Sequence, residues 1–142
     1  MARPGVAEGK IRKRKDGVAK LKRAKGKSTF EDISVEGHCM GIQARAWRKP
    51  SQPANYDYAS DAATAVIRAG KMRKKRRPPH GSLAWFYTGV SRKPGHVTTV
   101  IGRIRKRTIG NVDEVIGIVP LDYFHNYEYL GWCYPGDVPG WV

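Results

Sequence analysis

The chain changes its hydrophobic period at a pair of prolines, Pro78 and Pro79, and this change limits the folds open to it. Before the prolines, apolar residues recur three or four positions apart, as on one face of a helix. After them, four segments are rich in Val, Ile, Thr and aromatic residues, which is typical of strands joined by turns. Helices followed by strands predict an α+β fold in which N-terminal helices pack on an antiparallel β-sheet. The four strand segments are residues 82–87, 96–104, 112–119 and 127–134.

Two helices are predicted ahead of the prolines. The first is expected to begin at Ser34 and to run through Cys39 to Trp47. The second is expected to begin with Ser60 as its cap and to end at Gly70. The apolar residues predicted to face the core are Met40, Ala44 and Trp47 on the first helix and Ala63, Val66 and Ile67 on the second.

The length and the charge of the chain limit its organisation and its partners. With 142 residues, of which 40% are hydrophobic, it can build one core of ordinary size but not two. Residues 1–29 are rich in Lys and Arg and poor in large apolar residues, so we predict a flexible basic arm ahead of a domain over residues 30–142. The net charge of +15 predicts attraction to polyanions, which include nucleic acid, anionic membrane surfaces and anionic wall polymers.

Several kinds of site and location are disfavoured by the pattern. Cys39 and Cys133 are far apart and have no C-x-x-C partner, so neither a disulfide framework nor a zinc site is indicated. The histidines show no metal-ligand spacing, and we predict neither a metal nor another cofactor. The basic N-terminus lacks the apolar segment of a secretory signal, and no window reaches the roughly 18 apolar residues of a membrane span. We therefore expect a soluble protein without a signal peptide.

Cys39 and His96 are the candidates for nucleophilic chemistry. A thiol attacks carbonyl carbon as its thiolate, which a helix N-terminus and a neighbouring imidazole favour by lowering the thiol pKa. Cys39 lies in the first turns of the first predicted helix, and His96 opens a predicted strand after the Pro94-Gly95 turn. A Cys on the first helix and a His on a later strand is the papain-type order, although a lone Cys or a lone His is more often structural.

Five short motifs occur in an order that resembles a family of phage-borne peptidoglycan hydrolases. The segment around Cys39 combines Cys, an aliphatic residue, Arg and Trp in the order found in the nucleophile segment of that family. Four later motifs resemble its first strand, the strand that carries its catalytic base and its C-terminal end. The motifs are EGHCMGIQARAW at residues 36–47, PPHGSLAWF at 78–86, GHV at 95–97, IVPLDYF at 118–124 and YLGW at 129–132.

The family is the CHAP group of cysteine- and histidine-dependent amidohydrolases and peptidases, related to the NlpC-type cell-wall endopeptidases. The resemblance covers residues 31–142 and implies a papain-like cysteine hydrolase fold. It also implies that the Cys39 thiolate attacks an amide of the wall's stem peptides while His96 acts as its base. The backbone N–H of Cys39 would stabilise the oxyanion.

A third polar residue orients the imidazole in this family and lies on the strand that follows the His. In this sequence the resemblance leaves three positions open, Thr108, Asn111 and Asp113, of which we favour Asn111. The sequence departs from the family here, because residues 103–107 carry four basic side chains where a less charged hairpin is expected.

Two other classes of function compete with hydrolysis. The basic residues at 71–77 and 103–107, with aromatic residues in the adjoining strands, are compatible with nucleic-acid binding, and the basic arm could also contact nucleic acid. A structural virion module that keeps the hydrolase fold without its activity is the other alternative. The expected partners are peptidoglycan, anionic wall polymers and other virion proteins. The expected location is the phage virion, or the host cytoplasm before release to the wall.

Overall fold

A computed structural model describes residues 11–48, 54–89, 92–102 and 106–141, without the side chain of Arg92. Over these ranges the protein is a mixed α+β molecule with three α-helices, a two-stranded sheet and a five-stranded antiparallel sheet. The helices are α1 (Arg14–Arg23), α2 (Cys39–Trp47) and α3 (Ala59–Arg68). The strands are β1 (Thr29–Phe30), β2 (Ile33–Ser34), β3 (Leu83–Thr88), β4 (Arg92–Ile101), β5 (Arg107–Val112), β6 (Val115–Pro120) and β7 (Glu128–Cys133).

The five-stranded sheet has the order β6-β5-β4-β3-β7, and α2 and α3 pack on its central strand β4. Alternation along β3 and β4 sends Trp85 and Val97 into the core below the helices and Phe86 and His96 to the opposite face. The larger core, built from the helices and this face, contains the fully buried Trp47. The helix that begins at Cys39 is therefore held against the strand that carries His96.

A buried polar network fixes α2 on the sheet. The Trp47 indole N–H donates to the Thr99 hydroxyl at 2.9 Å, and that hydroxyl donates to the Gln43 side-chain oxygen at 2.6 Å. The Gln43 amide nitrogen donates in turn to the backbone oxygen of Ile109 on β5 at 3.3 Å. Because each of these groups has a partner, the network connects α2 to both β4 and β5.

The predicted flexible arm over residues 1–29 is not what the structure shows for residues 11–29. Ile11 forms a β-bridge with Arg48, and Val18 and Leu21 of α1 are buried in the larger core. Backbone hydrogen bonds also join Gly26 and Lys27 to Ile116 of β6. The prediction failed because three apolar residues in a basic segment suffice to bury one face of a short helix once a tertiary surface is available. Residues 1–10 lie outside the described residues.

The helix and strand predictions are confirmed in type, but several bounds and one inward-facing residue are wrong. The first predicted helix begins at Cys39 rather than at Ser34, which belongs to β2. In α3, Ala63 and Val66 are buried as predicted, whereas Ile67 is 43% exposed. The single strand predicted over residues 112–119 covers the last residue of β5, a turn in which Asp113 adopts φ 54°, and β6, so most of β5 was missed. Within the described residues, none of the helices has the length and apolar composition needed to cross a bilayer.

Candidate active site

Cys39, His96 and Asn111 line one cleft of about 220 Å³. Each comes from a different element, since Cys39 begins α2, His96 lies on β4 and Asn111 lies on β5. Strands β4 and β5 pair with each other only from Thr99 to Ile101 on β4, so they no longer pair with each other at His96 and Asn111. The cleft is bordered by these two stretches and by the start of α2.

Cys39 is held at the first position of α2 by a turn at Gly37, whose φ of 74° favours glycine. Its side chain is buried, and its sulfur lies 3.8 Å from the backbone oxygen of Gly95. Burial raises the pKa of the Cys39 thiol, and this effect exceeds the opposing hydrogen bonds from backbone N–H groups, the strongest of which is that of Val97. The sequence predicted a lowered pKa, so the structure reverses the expected direction, because removal from water outweighs the helix N-terminus.

His96 reaches the cleft from the face of the sheet that is opposite the helices. Its ring centroid lies 4.6 Å from that of Phe124 and 6.2 Å from that of Phe86. The Nε2 atom is buried and has no hydrogen-bond partner among the described residues. Burial lowers the pKa of His96 to about 4, so the imidazole is neutral at neutral pH.

The thiol and the imidazole share the cleft without forming a resting ion pair. Among the described residues, no hydrogen bond joins the Cys39 sulfur to the His96 ring. Both groups are uncharged near pH 7, because burial moves each pKa toward its neutral form. Chemistry at this cleft would therefore need His96 to act as a general base during the reaction rather than as a preformed imidazolium.

Of the three positions proposed for the third polar residue, Asn111 is the one that lines the cleft. Its side-chain oxygen is buried and has no partner in the described part of the chain. Thr108 is buried elsewhere and donates its hydroxyl to the backbone oxygen of Val119, while Asp113 lies exposed in the β5–β6 turn. Two residues that line the cleft thus each have a buried polar atom without a partner in the described ranges: His96 at Nε2 and Asn111 at Oδ1.

The sequence did not indicate three further residues of the cleft, Asp57, Tyr58 and Tyr127. Asp57 and Tyr58 precede α3 in a connection without a periodic pattern, whereas Tyr127 opens the predicted strand over residues 127–134 and lies just before β7. Gly95 determines how close α3 comes to the cleft, because a Cβ on it would lie 2.5 Å from the backbone nitrogen of Ser60. A signal for this close approach was present in the sequence only as the Pro94-Gly95 dipeptide.

The remaining histidines and the second cysteine lie outside the cleft. His38 and His125 are exposed, while His80 accepts a hydrogen bond at Nδ1 from the backbone N–H of Gly102 at 2.9 Å. Cys133 is fully buried, and its sulfur accepts a hydrogen bond from the indole of Trp85 at 3.2 Å. Over the described ranges, no three His, Cys, Asp or Glu side chains cluster as metal ligands would.

Comparisons of the chain with protein-family models, with curated proteins and with solved structures find no match. The likeness to the cell-wall hydrolases therefore depends on the five sequence motifs alone.

Proposed function

We propose that the protein is a cysteine-dependent peptidoglycan hydrolase of phage type, with Cys39 as nucleophile, His96 as base and Asn111 as the residue that orients the imidazole. The observation that carries the proposal is the shared cleft, which brings together a Cys at a helix start, a His and an Asn from three separate elements. The papain-like fold is part of the same proposal. It is supported by the packing of the Cys-bearing helix on the His-bearing strand of an antiparallel sheet.

The proposed reaction begins with a neutral thiol and a neutral imidazole. A polar amide in the cleft gives both groups polar neighbours and so relieves the burial that opposes their charged forms. For this step His96 would have to leave the sheet face on which it packs against Phe124, and it then takes the thiol proton as the sulfur attacks the amide carbon. It then passes that proton to the leaving amine, and water hydrolyses the thioester with His96 again as base.

The backbone at the start of α2 is suited to stabilise the oxyanion of this reaction. The N–H groups of the first helical turn have no intrahelical partner, and those of Cys39 and Met40 lie close enough to the sulfur to favour its charged form. Donors placed beside the nucleophile also lie beside the carbonyl oxygen that it attacks.

The wall substrate is inferred from the motifs and is supported by charge. A net charge of +15 attracts the protein to the anionic polymers that accompany peptidoglycan, which raises its concentration at the wall. This attraction is screened by salt, so wall binding should weaken as ionic strength rises.

A binding module without catalysis is the second candidate, and the resting state of the cleft favours it. The thiol pKa is raised and the imidazole has no hydrogen bond to the sulfur, as expected of a site that has lost its catalytic activity. Iodoacetamide labelling of the free protein, which would mark a resting thiolate, does not separate the two candidates, because both predict an unreactive thiol at mildly acidic pH.

Turnover on purified peptidoglycan separates the candidates. We expect the wild type to release new amino termini and Cys39→Ala to release none, while Cys133→Ala, the matched removal of the other thiol, remains active. Mass spectrometry of the products identifies the bond cleaved. Hydrolysis that survives Cys39→Ala would reject the mechanism, and a folded wild type that releases nothing would favour the binding module.

A further inference from the structure

A second, larger groove of about 680 Å³ lies on the face of the sheet that is opposite the helices. Its floor consists of aromatic rings from β3, β7 and the segment between β6 and β7. The ring centroid of Phe86 lies 5.2 Å from that of Phe124 and 5.5 Å from that of Tyr129, and the rings of Phe124 and Tyr127 are stacked at 6.1 Å. Such a floor presents flat apolar surface to a ligand.

Two cations, Arg77 and Lys106, line the same groove. Lys106 is half-buried and donates to the backbone oxygen of Gly102 at 2.9 Å. Burial and the neighbouring Arg77 guanidinium both lower the pKa of Lys106, in that order of size. Asp122 is the one carboxylate among the described residues that line the groove, so the two cations outnumber it. Two like charges that repel each other beside an apolar floor are favourable for an anion, which would relieve the repulsion.

A hydroxyl without a partner also lines the groove. The Tyr129 hydroxyl oxygen is buried and makes no hydrogen bond to any described residue. Burial raises the pKa of Tyr129 to about 12, so this hydroxyl remains protonated at neutral pH and is able to donate to a ligand. A buried donor without a partner is costly in a folded protein unless a ligand or water satisfies it.

The groove adjoins the Cys39 cleft. Tyr127 lines both, and the Phe124 ring in the groove floor contacts the His96 imidazole. A ligand that extends from the groove past Tyr127 would therefore enter the cleft that Cys39 also lines. This shared border favours a second part of the same substrate over an unrelated ligand.

We propose that the aromatic groove binds the carboxylate-bearing sugar-peptide part of the wall substrate, with Lys106 and Arg77 on a carboxylate, Tyr129 donating to it and the sugar ring on the aromatic floor. The inference rests on the proposed function, since it assigns the groove to the substrate cleaved at Cys39. It adds a specificity: the protein prefers stem peptides with free carboxylates to those whose carboxylates are amidated.

Equilibrium binding to the full-length Cys39→Ala protein tests the groove without turnover. The probe is a disaccharide-tetrapeptide muropeptide, used with free carboxylates and in amidated form. In that background we expect Lys106→Gln to weaken binding of the free-carboxylate form about threefold to tenfold. We expect Tyr129→Phe to weaken it similarly without lowering the unfolding free energy, because it removes a hydroxyl that has no partner in the protein. Lys22→Gln on α1 makes the same charge change away from the groove and should leave binding unchanged.

Several results would overturn the inference. These are equal affinity for the two forms of the muropeptide, unchanged binding in both groove variants, or a loss in Lys22→Gln as large as that in Lys106→Gln. Displacement of the muropeptide by an oligothymidine, with the oligonucleotide binding more tightly, would assign the groove to single-stranded nucleic acid instead. Failure of the proposed function is measured separately, as absence of hydrolysis by the wild type, and does not depend on these affinities.

Discussion

His96 couples the candidate chemistry to the stability of the fold. Its imidazole is packed among aromatic rings and is held neutral, because burial lowers its pKa to about 4. A neutral imidazole is what a general base requires before the reaction. The same burial predicts how stability depends on pH, since folding opposes protonation at this residue.

We predict that unfolding free energy falls by about 3 kcal/mol through His96 between pH 7 and pH 4. Above the unfolded value near 6.5 both states are neutral and the full stability is present. As the pH falls, the unfolded chain takes up its proton first, and the loss ends near pH 4, where the folded state also binds one. Urea unfolding at the two pH values measures the effect. The pH-dependent loss should be smaller by this amount in His96→Gln and unchanged in His125→Gln, which alters an exposed histidine. Equal loss in all three proteins would show that the imidazole is not buried.

Single residues of the cleft could be predicted only in part from the sequence. Cys39 and His96 were found through motif order, and Asn111 was favoured among three residues on or beside one strand without a fixed register. The structure distinguishes these three because a strand alternates its side chains and the turn at Asp113 removes that residue from the sheet. The direction of the Cys39 pKa could not be predicted, since burial depends on elements distant in sequence.

At the scale of elements, the start of α3 and the start of β4 lie close together and both line the cleft. Gly95 has φ 75°, and a side chain there would meet the backbone of Ser60, which cannot move like the end of a flexible side chain. The helical and strand periods predicted these elements correctly in type. They did not predict that α3 contacts β4 at Gly95, because the hydrophobic period of a segment describes that segment alone.

We predict that Gly95→Ala destabilises the protein by at least about 1 kcal/mol more than Gly89→Ala. Both glycines have positive φ, so both substitutions carry the left-handed penalty of about 1–2 kcal/mol. Only at Gly95 does the added Cβ lie 2.5 Å from backbone, whereas at Gly89 nothing lies within 4 Å. Chemical denaturation of the two variants measures the difference. Equal losses would contradict the close packing of α3 on this turn.

At the scale of the whole molecule, the basic N-terminal segment belongs to the folded domain from residue 11 onward. Composition predicted an arm because Lys and Arg dominate residues 1–29, and composition does not reveal which few apolar residues are buried. The helix α1 buries Leu21 completely and leaves Lys15, Lys22 and Arg23 exposed, while Arg14 and Lys20 are partly buried. Part of the net charge of +15 is thus carried by a folded helix.

We predict that deletion of residues 1–29 destabilises the protein far more than deletion of residues 1–10. Deletion of residues 1–29 removes Ile11, Val18 and Leu21 from the core and should cost about 5 kcal/mol or more, since each buried aliphatic side chain contributes about 1.5–3 kcal/mol. Thermal unfolding of both truncated proteins measures the outcome. Equal stability of the two would show that residues 11–29 do not contribute to the core and would support a flexible arm.

The joint action of Cys39 and His96 is tested most directly by kcat/KM for peptidoglycan cleavage in the wild type, Cys39→Ala, His96→Ala and the double variant. Residues that act as one catalytic unit lose most of the rate when either is removed, and the second removal costs little more. We predict that the double variant is no slower than the slower single variant. Single losses that multiply in the double variant, or full activity in His96→Ala, would contradict catalysis by this pair.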